Sequence, residues 1–338
     1  MSQQKRFEYH LIEFRGKFDL VRSSETINHK GFSFGDFAHN LYLNDARTPL
    51  FQLQALTRIE QKIGKESKIS NRWLNEFKAL EDAFGKYDFW LTLYAKNQQW
   101  QSPDLIIKFV QQQRDRHLGL LENSLYHYGW LNSHGECAVI SAERLKKDFK
   151  KYDWIKEEKE SKKLTKFLRD EALNLHEKIV SSEIDLNQIE DGIHELRRKL
   201  RWLSIYASAL LGKVQHSDMN EGSNLDKYIT EENKAFKFNI LPEPQVDTDT
   251  IRFLRGGFYA LSFLIDYLGK IKDPGLITEE MEKITKITGI SLSKLKSKMG
   301  ADYATHFKVV KEAKAIVKPI LVKDEILLHI ASYFDKQV

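Results

Sequence analysis

Apolar side chains recur at intervals of three and four residues along most of the chain, a pattern that predicts α-helices. The pattern is clearest between Ile193 and Gly212, where a second stripe of basic residues follows the same period on another side of the helix. The apolar positions are Ile193, Leu196, Leu200, Leu203, Ala207 and Leu210, and the basic stripe is His194, Arg197, Arg198 and Arg201. One face of this helix is therefore predicted to enter a core, and the other to present three guanidinium groups and an imidazole.

The same periodicity predicts further helices, separated by glycines at 64, 85 and 269. Pro49 and Pro103 are compatible with this reading because proline is tolerated in the first turn of a helix. The predicted helices cover about 45–63, 71–84, 104–128, 141–163, 164–180 and 248–268, and three more follow residue 278, the last of them in EILLHIASYF. The expected fold class is all-α, a helical bundle.

The first 40 residues have a different pattern. FEYHLIEF and KFDLV alternate apolar and polar side chains, and GFSFGDF is rich in glycine and phenylalanine. Such alternation is typical of strands, so residues 1–40 are predicted to form a short hairpin or an extended arm, apart from a helical domain over 41–338.

Composition narrows the class of protein. The 338 residues, 41% hydrophobic and 30% charged, are enough for one large or two small globular domains. The single cysteine, Cys137, excludes an internal disulfide and a multi-cysteine zinc site, and favours the cytoplasm. No apolar run reaches the ~20 residues of a membrane span, and the N-terminus lacks the apolar core of a signal peptide, so we expect no membrane partner. Lys and Arg number 53 against 48 Asp and Glu, so an acidic partner must be attracted by local charge.

One short motif is rejected on its context. Glu158, Glu160 and Lys162 match the E-x-E-x-K motif of triphosphate-tunnel enzymes. That motif works on a strand, where alternate residues share a face, whereas residues 141–163 are predicted to be helical.

A metal site is a second, weaker interpretation. Asp191 and His194, and likewise Asp36 and His39, place a carboxylate and an imidazole one helical turn apart, as in metal sites of helical bundles. The arginines beside His194 would repel a metal cation. Because the chain also contains no P-loop, nucleophile elbow or dinucleotide-binding glycine loop, we expect a non-catalytic protein without cofactor or metal.

Two pairs of segments suggest an internal duplication. Asn44-Asp-Ala-Arg47-x-x-Leu50-x-x-Leu53 aligns with His194-Glu-Leu-Arg197-x-x-Leu200-x-x-Leu203. In each half an amphipathic helix then ends in an apolar residue followed by glycine, Phe84-Gly85 or Leu268-Gly269, with an aspartate three or four residues on. We predict one repeat over about 41–160 and a second over about 161–338.

With these motifs the sequence resembles the CHAD family, the conserved histidine α-helical domains. Repeats of that family open with H-x-x-R-x-x-x-R-[RK]-L-[R] and close their second helix with L-G-x-x-[RN]-D. His194, Arg197 and Arg201 match the first motif, and Leu268-Gly269-x-x-Lys272-Asp273 matches the second. The resemblance implies two four-helix repeats about a pseudo-twofold axis and binding of inorganic polyphosphate.

The resemblance also implies which side chains bind phosphate. The segment QQQRDRHLGLLENSLYHYGW is similar to the third helix of the family and adds three residues to the basic stripe. The predicted phosphate-binding residues are His194, Arg197, Arg198, Arg201, Arg47, Arg114, Arg116, His117 and Lys272.

The first repeat departs from the family pattern. Asn44 stands at its histidine position, and Phe51, Gln52 and Gln54 stand at basic positions, which leaves only Arg47. In the second repeat Trp202 and Ser204 replace two further basic residues. Because polyphosphate binding adds up many cationic contacts, we predict weak and strongly salt-dependent binding.

The sequence leaves two functions open. The first is a polyanion-binding module for inorganic polyphosphate or another phosphorylated polyanion. The second is a scaffold that has kept the fold, lost phosphate binding and binds a protein partner through aromatic residues, which make up 12% of the chain. Sequence-specific nucleic-acid binding is disfavoured by the nearly balanced charge and the lack of a base-reading motif.

Overall fold

The computed structural model describes residues 1–23, 34–65, 67–132, 139–218, 223–236, 239–244 and 249–337. It confirms an all-α protein and divides the chain into two compact units, Met1–Ile155 and Lys156–Val338. Within the described ranges, no helix is both long and apolar enough to cross a membrane. Cys137 and residues 31–33 of the Gly- and Phe-rich stretch lie outside these ranges.

The first unit is built from helices that share an aromatic core. Trp73 lies 5.5 Å from Phe7 and 5.2 Å from Phe149 between ring centroids, and all three rings are buried. The helices are α1 (Gln3–Ser23), α2 (Phe34–Leu43), α3 (Arg47–Ile63), α4 (Ser67–Gln99), α5 (Asp104–His127) and α6 (Val139–Lys151). Helix α4 packs along both α3 and α5.

The predicted N-terminal hairpin is wrong. Residues 3–23 form the helix α1, which packs against α2, α3 and α6 as part of the first unit. Its buried positions include Phe7, Leu11, Phe14 and Phe18, spaced by three or four, whereas Tyr9 is 45% exposed. The sequence alternates like a strand because the solvent-exposed face of α1 also carries apolar residues, such as Tyr9.

The second unit is organised around the long helix α10 (Arg255–Thr288), against which α8 (Glu195–Ala209) packs. Two three-residue strands, β1 (Val214–His216) and β2 (Ile251–Phe253), pair in parallel with Val214 opposite Ile251. The other α-helices are α7 (Glu157–Val180), α9 (Glu231–Lys234), α11 (Ser293–Met299), α12 (His306–Val317) and α13 (Ile326–Asp335). Short 3-10 turns cover Ser223–Tyr228 and Gly300–Asp302, and π-helical turns cover Ile189–His194 and Lys318–Lys323.

Several predicted helix ends differ from the structure. Helix α4 continues through Gly85, and α10 continues through Gly269 and Pro274 for about five further turns, to Thr288. Packing on both sides outweighs the low helix propensity of these residues. The helix predicted over 141–163 instead ends at Lys151, and a new helix begins at Glu157. Residues 251–253, expected to be helical, form β2.

Candidate functional site

The candidate site lies where α8 crosses α10 in the second unit. Leu196, Leu200 and Leu203 are buried, as the apolar periodicity predicts. Arg197, in the basic stripe of α8, reaches the middle of α10, where it contacts Ile265 and Gly269. The π-helical turn Ile189–His194 leads directly into α8 and brings His194 to its start. Gly192 is required in this turn, because a Cβ atom there would lie 1.8 Å from the carbonyl oxygen of Asp185.

Arg197 is fixed against the backbone of α10. Its Nε donates a hydrogen bond of 2.8 Å to the carbonyl oxygen of Ile265. A Cβ atom at Gly269 would lie 3.0 Å from the same Nε, so the glycine makes room for the guanidinium. Burial lowers the pKa of Arg197, and Asp273 and Asp266 oppose this shift. An arginine has no neutral form near pH 7, so a charge is held at the helix contact.

Lys272 brings a second positive charge to the contact between α8 and α10. Its side chain is only 7% exposed, and its ammonium is paired with the carboxylate of Asp273, which is 62% exposed. Burial lowers the pKa of Lys272, Asp273 opposes this shift, and the nearby Arg197 adds to it. The side chain of Lys272 is therefore buried, whereas the carboxylate of Asp273 that neutralises it is largely exposed to solvent.

His194 stays neutral beside these cations. Burial lowers its pKa to about 3, and repulsion from Lys272, Arg198, Arg197 and Arg201 adds to the shift. Its Nδ1 is buried and has no hydrogen-bond partner among the described residues. Histidine gains charge as the pH falls, and the lowered pKa of His194 moves that change well below the usual range in the unliganded protein.

Carboxylates lie around this group of cations. Glu195 pairs with Arg198 at 2.6 Å and with Lys199 at 2.9 Å, and Asp266 pairs with Lys270 at 2.7 Å. We call Arg197 and Lys272 the inner cations, and Glu195, Asp266 and Asp273 the rim carboxylates. The rim lowers the net positive charge that a distant anion meets, while the inner cations remain close to one another.

The first unit holds its corresponding arginine differently. Arg47, at the start of α3, forms ion pairs with Glu81 at 2.8 Å and Asp88 at 3.1 Å, both on α4. A Cβ atom at Gly85 would lie 2.8 Å from Nη2 of Arg47, so this guanidinium also packs against a helical glycine. Two carboxylates already neutralise its charge, and Tyr42 donates a further hydrogen bond to Asp88.

The predicted basic residues of α5 are spread along one helix. Arg114 pairs with the adjacent Asp115 at 2.5 Å, and its guanidinium carbon lies 4.4 Å from the ring centroid of Tyr94. His117 stacks on Trp90 at 6.0 Å between ring centroids, and burial and then Arg116 lower its pKa. Arg116 is exposed.

The nine predicted residues thus divide between the units. His194, Arg197, Arg198, Arg201 and Lys272 come together in the second unit, whereas Arg47, Arg114, Arg116 and His117 belong to the first.

The sequence analysis included the aspartate that follows each glycine, Asp88 and Asp273, but did not predict the ion pairs that carboxylates form with the basic residues of either unit. The pairing of Asp266 with Lys270 and of Glu195 with Lys199 is visible in their spacing of four residues on a helix. No local pattern reveals that Glu81 and Asp88 pair with Arg47, which lies 34 and 41 residues before them.

No protein-family model, curated protein or solved structure matches this chain. Membership of the CHAD family and the twofold repeat therefore stay predictions from the sequence motifs.

Proposed function

We propose that the chain is a non-catalytic module that binds a phosphorylated anion, such as inorganic polyphosphate, through the second unit. Arg197, Lys272, Arg198 and Arg201 would contact phosphate oxygens. His194 would donate a hydrogen bond from its neutral ring. Arginine suits this task because its planar fork of N–H donors matches phosphate oxygens.

The observation that carries the proposal is the concentration of like charge in a place with little access to water. The side chain of Lys272 is 7% exposed, Arg197 lowers its pKa, and both cations lower the pKa of His194. Buried like charges destabilise a fold unless counter-ions compensate them. A bound anion would supply negative charge that Asp273, mostly in solvent, supplies only in part.

The resemblance of each unit to a CHAD repeat has its own support. Arg47 against Gly85 and Arg197 against Gly269 are two contacts of one kind, between an arginine early in one helix and a glycine inside the next long helix. The sequence motifs pair these same four residues. The first unit nevertheless contributes little to the proposed binding, because Arg47 is already engaged by two carboxylates.

The test is a binding titration at low and moderate salt. Wild-type protein is titrated with tripolyphosphate and with long-chain polyphosphate, and binding is followed by thermal shift and by calorimetry. Arg197→Ala/Arg201→Ala and Lys272→Met should each lose most of the binding, and moderate salt should weaken it in the wild type. Lys311→Met, an exposed lysine of α12, is the control and should bind as the wild type does.

Wild-type protein that binds neither phosphate at low salt would refute the proposal. The scaffold function would then be the better interpretation, with the basic stripe of α8 serving only as a polar helix face.

A further inference from the structure

We infer that the second unit recognises the terminal phosphoryl group of a short phosphate compound and does not bind along the interior of a long polyphosphate chain. This inference rests on the proposed function and specifies its ligand. It follows from the positions of the inner cations and the rim carboxylates, as opposed to the number of basic residues.

The first argument is burial. Lys272 is nearly inaccessible, and Arg197 is held by the Ile265 carbonyl and packed on Gly269. An anion that reaches both must enter the contact between α8 and α10 with one of its ends. A terminal phosphoryl group is narrow and carries more charge than an internal phosphate of a chain, whereas a chain passing across the surface would not reach Lys272.

The second argument is the rim. Asp273 is 62% exposed, and Glu195 and Asp266 lie on the two helices that flank the inner cations. Glu195 is paired with Arg198 and Lys199, and Asp266 with Lys270, so the exposed edge of the site carries little excess positive charge. A phosphate chain that continues outward over this edge therefore gains little attraction from it. The cations that remain for binding lie at the inner end, where only the end of a ligand can reach them.

The third argument is the length of the basic stripe. From His194 to Arg201 the helix axis advances by ~10 Å, since each residue contributes about 1.5 Å. Only a few phosphates can be covered over this distance. The first unit adds no further binding charge at Arg47, whose ion pairs with Glu81 and Asp88 are complete.

The experiment compares pyrophosphate, tripolyphosphate and long-chain polyphosphate by calorimetry at low salt, with concentrations expressed per chain end. For the wild type we expect the affinities of tripolyphosphate and long-chain polyphosphate per chain end to agree within about threefold, because only ends bind. An affinity per chain end that rises steadily with chain length would overturn the inference and leave the proposed function intact.

A rim variant sharpens the test. Glu195→Gln/Asp266→Asn should strengthen the binding of long-chain polyphosphate by about fivefold and that of pyrophosphate by less than about twofold, since only the long chain meets the rim. Glu13→Gln/Asp19→Asn changes two exposed carboxylates of α1 and raises the net charge equally, so it is the matched control. Equal strengthening for both ligands would contradict the role of the rim. Absence of binding for every phosphate would refute the proposed function itself.

Discussion

Replacing His194 by glutamine is expected to make the folded protein less sensitive to acid. In the folded chain the pKa of His194 is lowered to about 3, first by burial and then by Lys272 and the neighbouring arginines. In the unfolded chain an imidazole has a pKa of about 6.5. Below pH 6.5 the unfolded state therefore takes up a proton that the folded state does not, and the free energy of unfolding falls as the pH falls.

The size of the effect follows from the width of this pH window. Each pH unit below 6.5 and above the folded pKa lowers the free energy of unfolding by about 1.4 kcal/mol. At pH 5.0 the loss from this one ring is thus about 2 kcal/mol relative to pH 7.5. Glutamine cannot take up this proton, so His194→Gln should lack this part of the acid sensitivity.

The assay is urea denaturation of the wild type and of His194→Gln at pH 7.5 and pH 5.0. The difference between the two proteins should change by about 2 kcal/mol between these pH values, in favour of the variant in acid. His329→Gln, which changes an exposed histidine of α13, is the control for an altered histidine count. A difference that stays constant with pH, or an NMR titration of His194 with a midpoint near pH 6.5, would refute the reasoning.

Three other substitutions test further positions. A hydrogen bond that His306 donates to Glu279 raises the pKa of His306, so the contact should stabilise the protein below pH 6.5 and lose this effect as the pH rises through the raised pKa. His306→Gln should remove less than about 1 kcal/mol at pH 5.5 and nothing at pH 8.5 in urea denaturation, because the pair is solvent-exposed; a loss of the same size at both pH values would contradict this. Gly119→Ala, with open space around its Cβ, should stabilise its helix by up to about 1 kcal/mol. Gly269→Ala should gain less, because it displaces Arg197, and should weaken phosphate binding; calorimetry showing unchanged affinity would contradict that expectation.

The sequence alone predicts much of the helical fold, because the periodicity of buried residues is a local property. Leu196, Leu200 and Leu203 are buried where their spacing places them. The same kind of reasoning fails in α1, where Phe7, Tyr9 and Leu11 alternate like a strand although the deeper pattern of the segment is helical. The spacing of Phe7, Leu11, Phe14 and Phe18 by three and four places them on one face of α1, and the exposed Tyr9 lies off that face.

The basic residues of the candidate site can be predicted from the sequence, but the carboxylates that neutralise some of them cannot. The basic stripe of α8 can be seen in the sequence, since His194 and Arg201 are two turns apart on one helix. Whether an arginine is available for a ligand depends on carboxylates brought to it by another helix. Arg47 resembles Arg197 in its sequence motif, yet Glu81 and Asp88 neutralise it across 34 and 41 residues of chain.

The two units differ in the charge that surrounds their corresponding arginines. This difference comes from the residue three positions after the packed glycine, Gly85 or Gly269. In the first unit this residue is Asp88, which pairs with Arg47 and completes the neutralisation that Glu81 begins. In the second unit it is Lys272, which lies beside Arg197 and adds a like charge. The charge of the side chain one helical turn after the glycine therefore decides the outcome. A carboxylate at this position neutralises the arginine, whereas an ammonium adds a second positive charge beside it. We therefore predict that phosphate binding by a unit depends more on the charge at this position than on the number of basic residues in its opening motif.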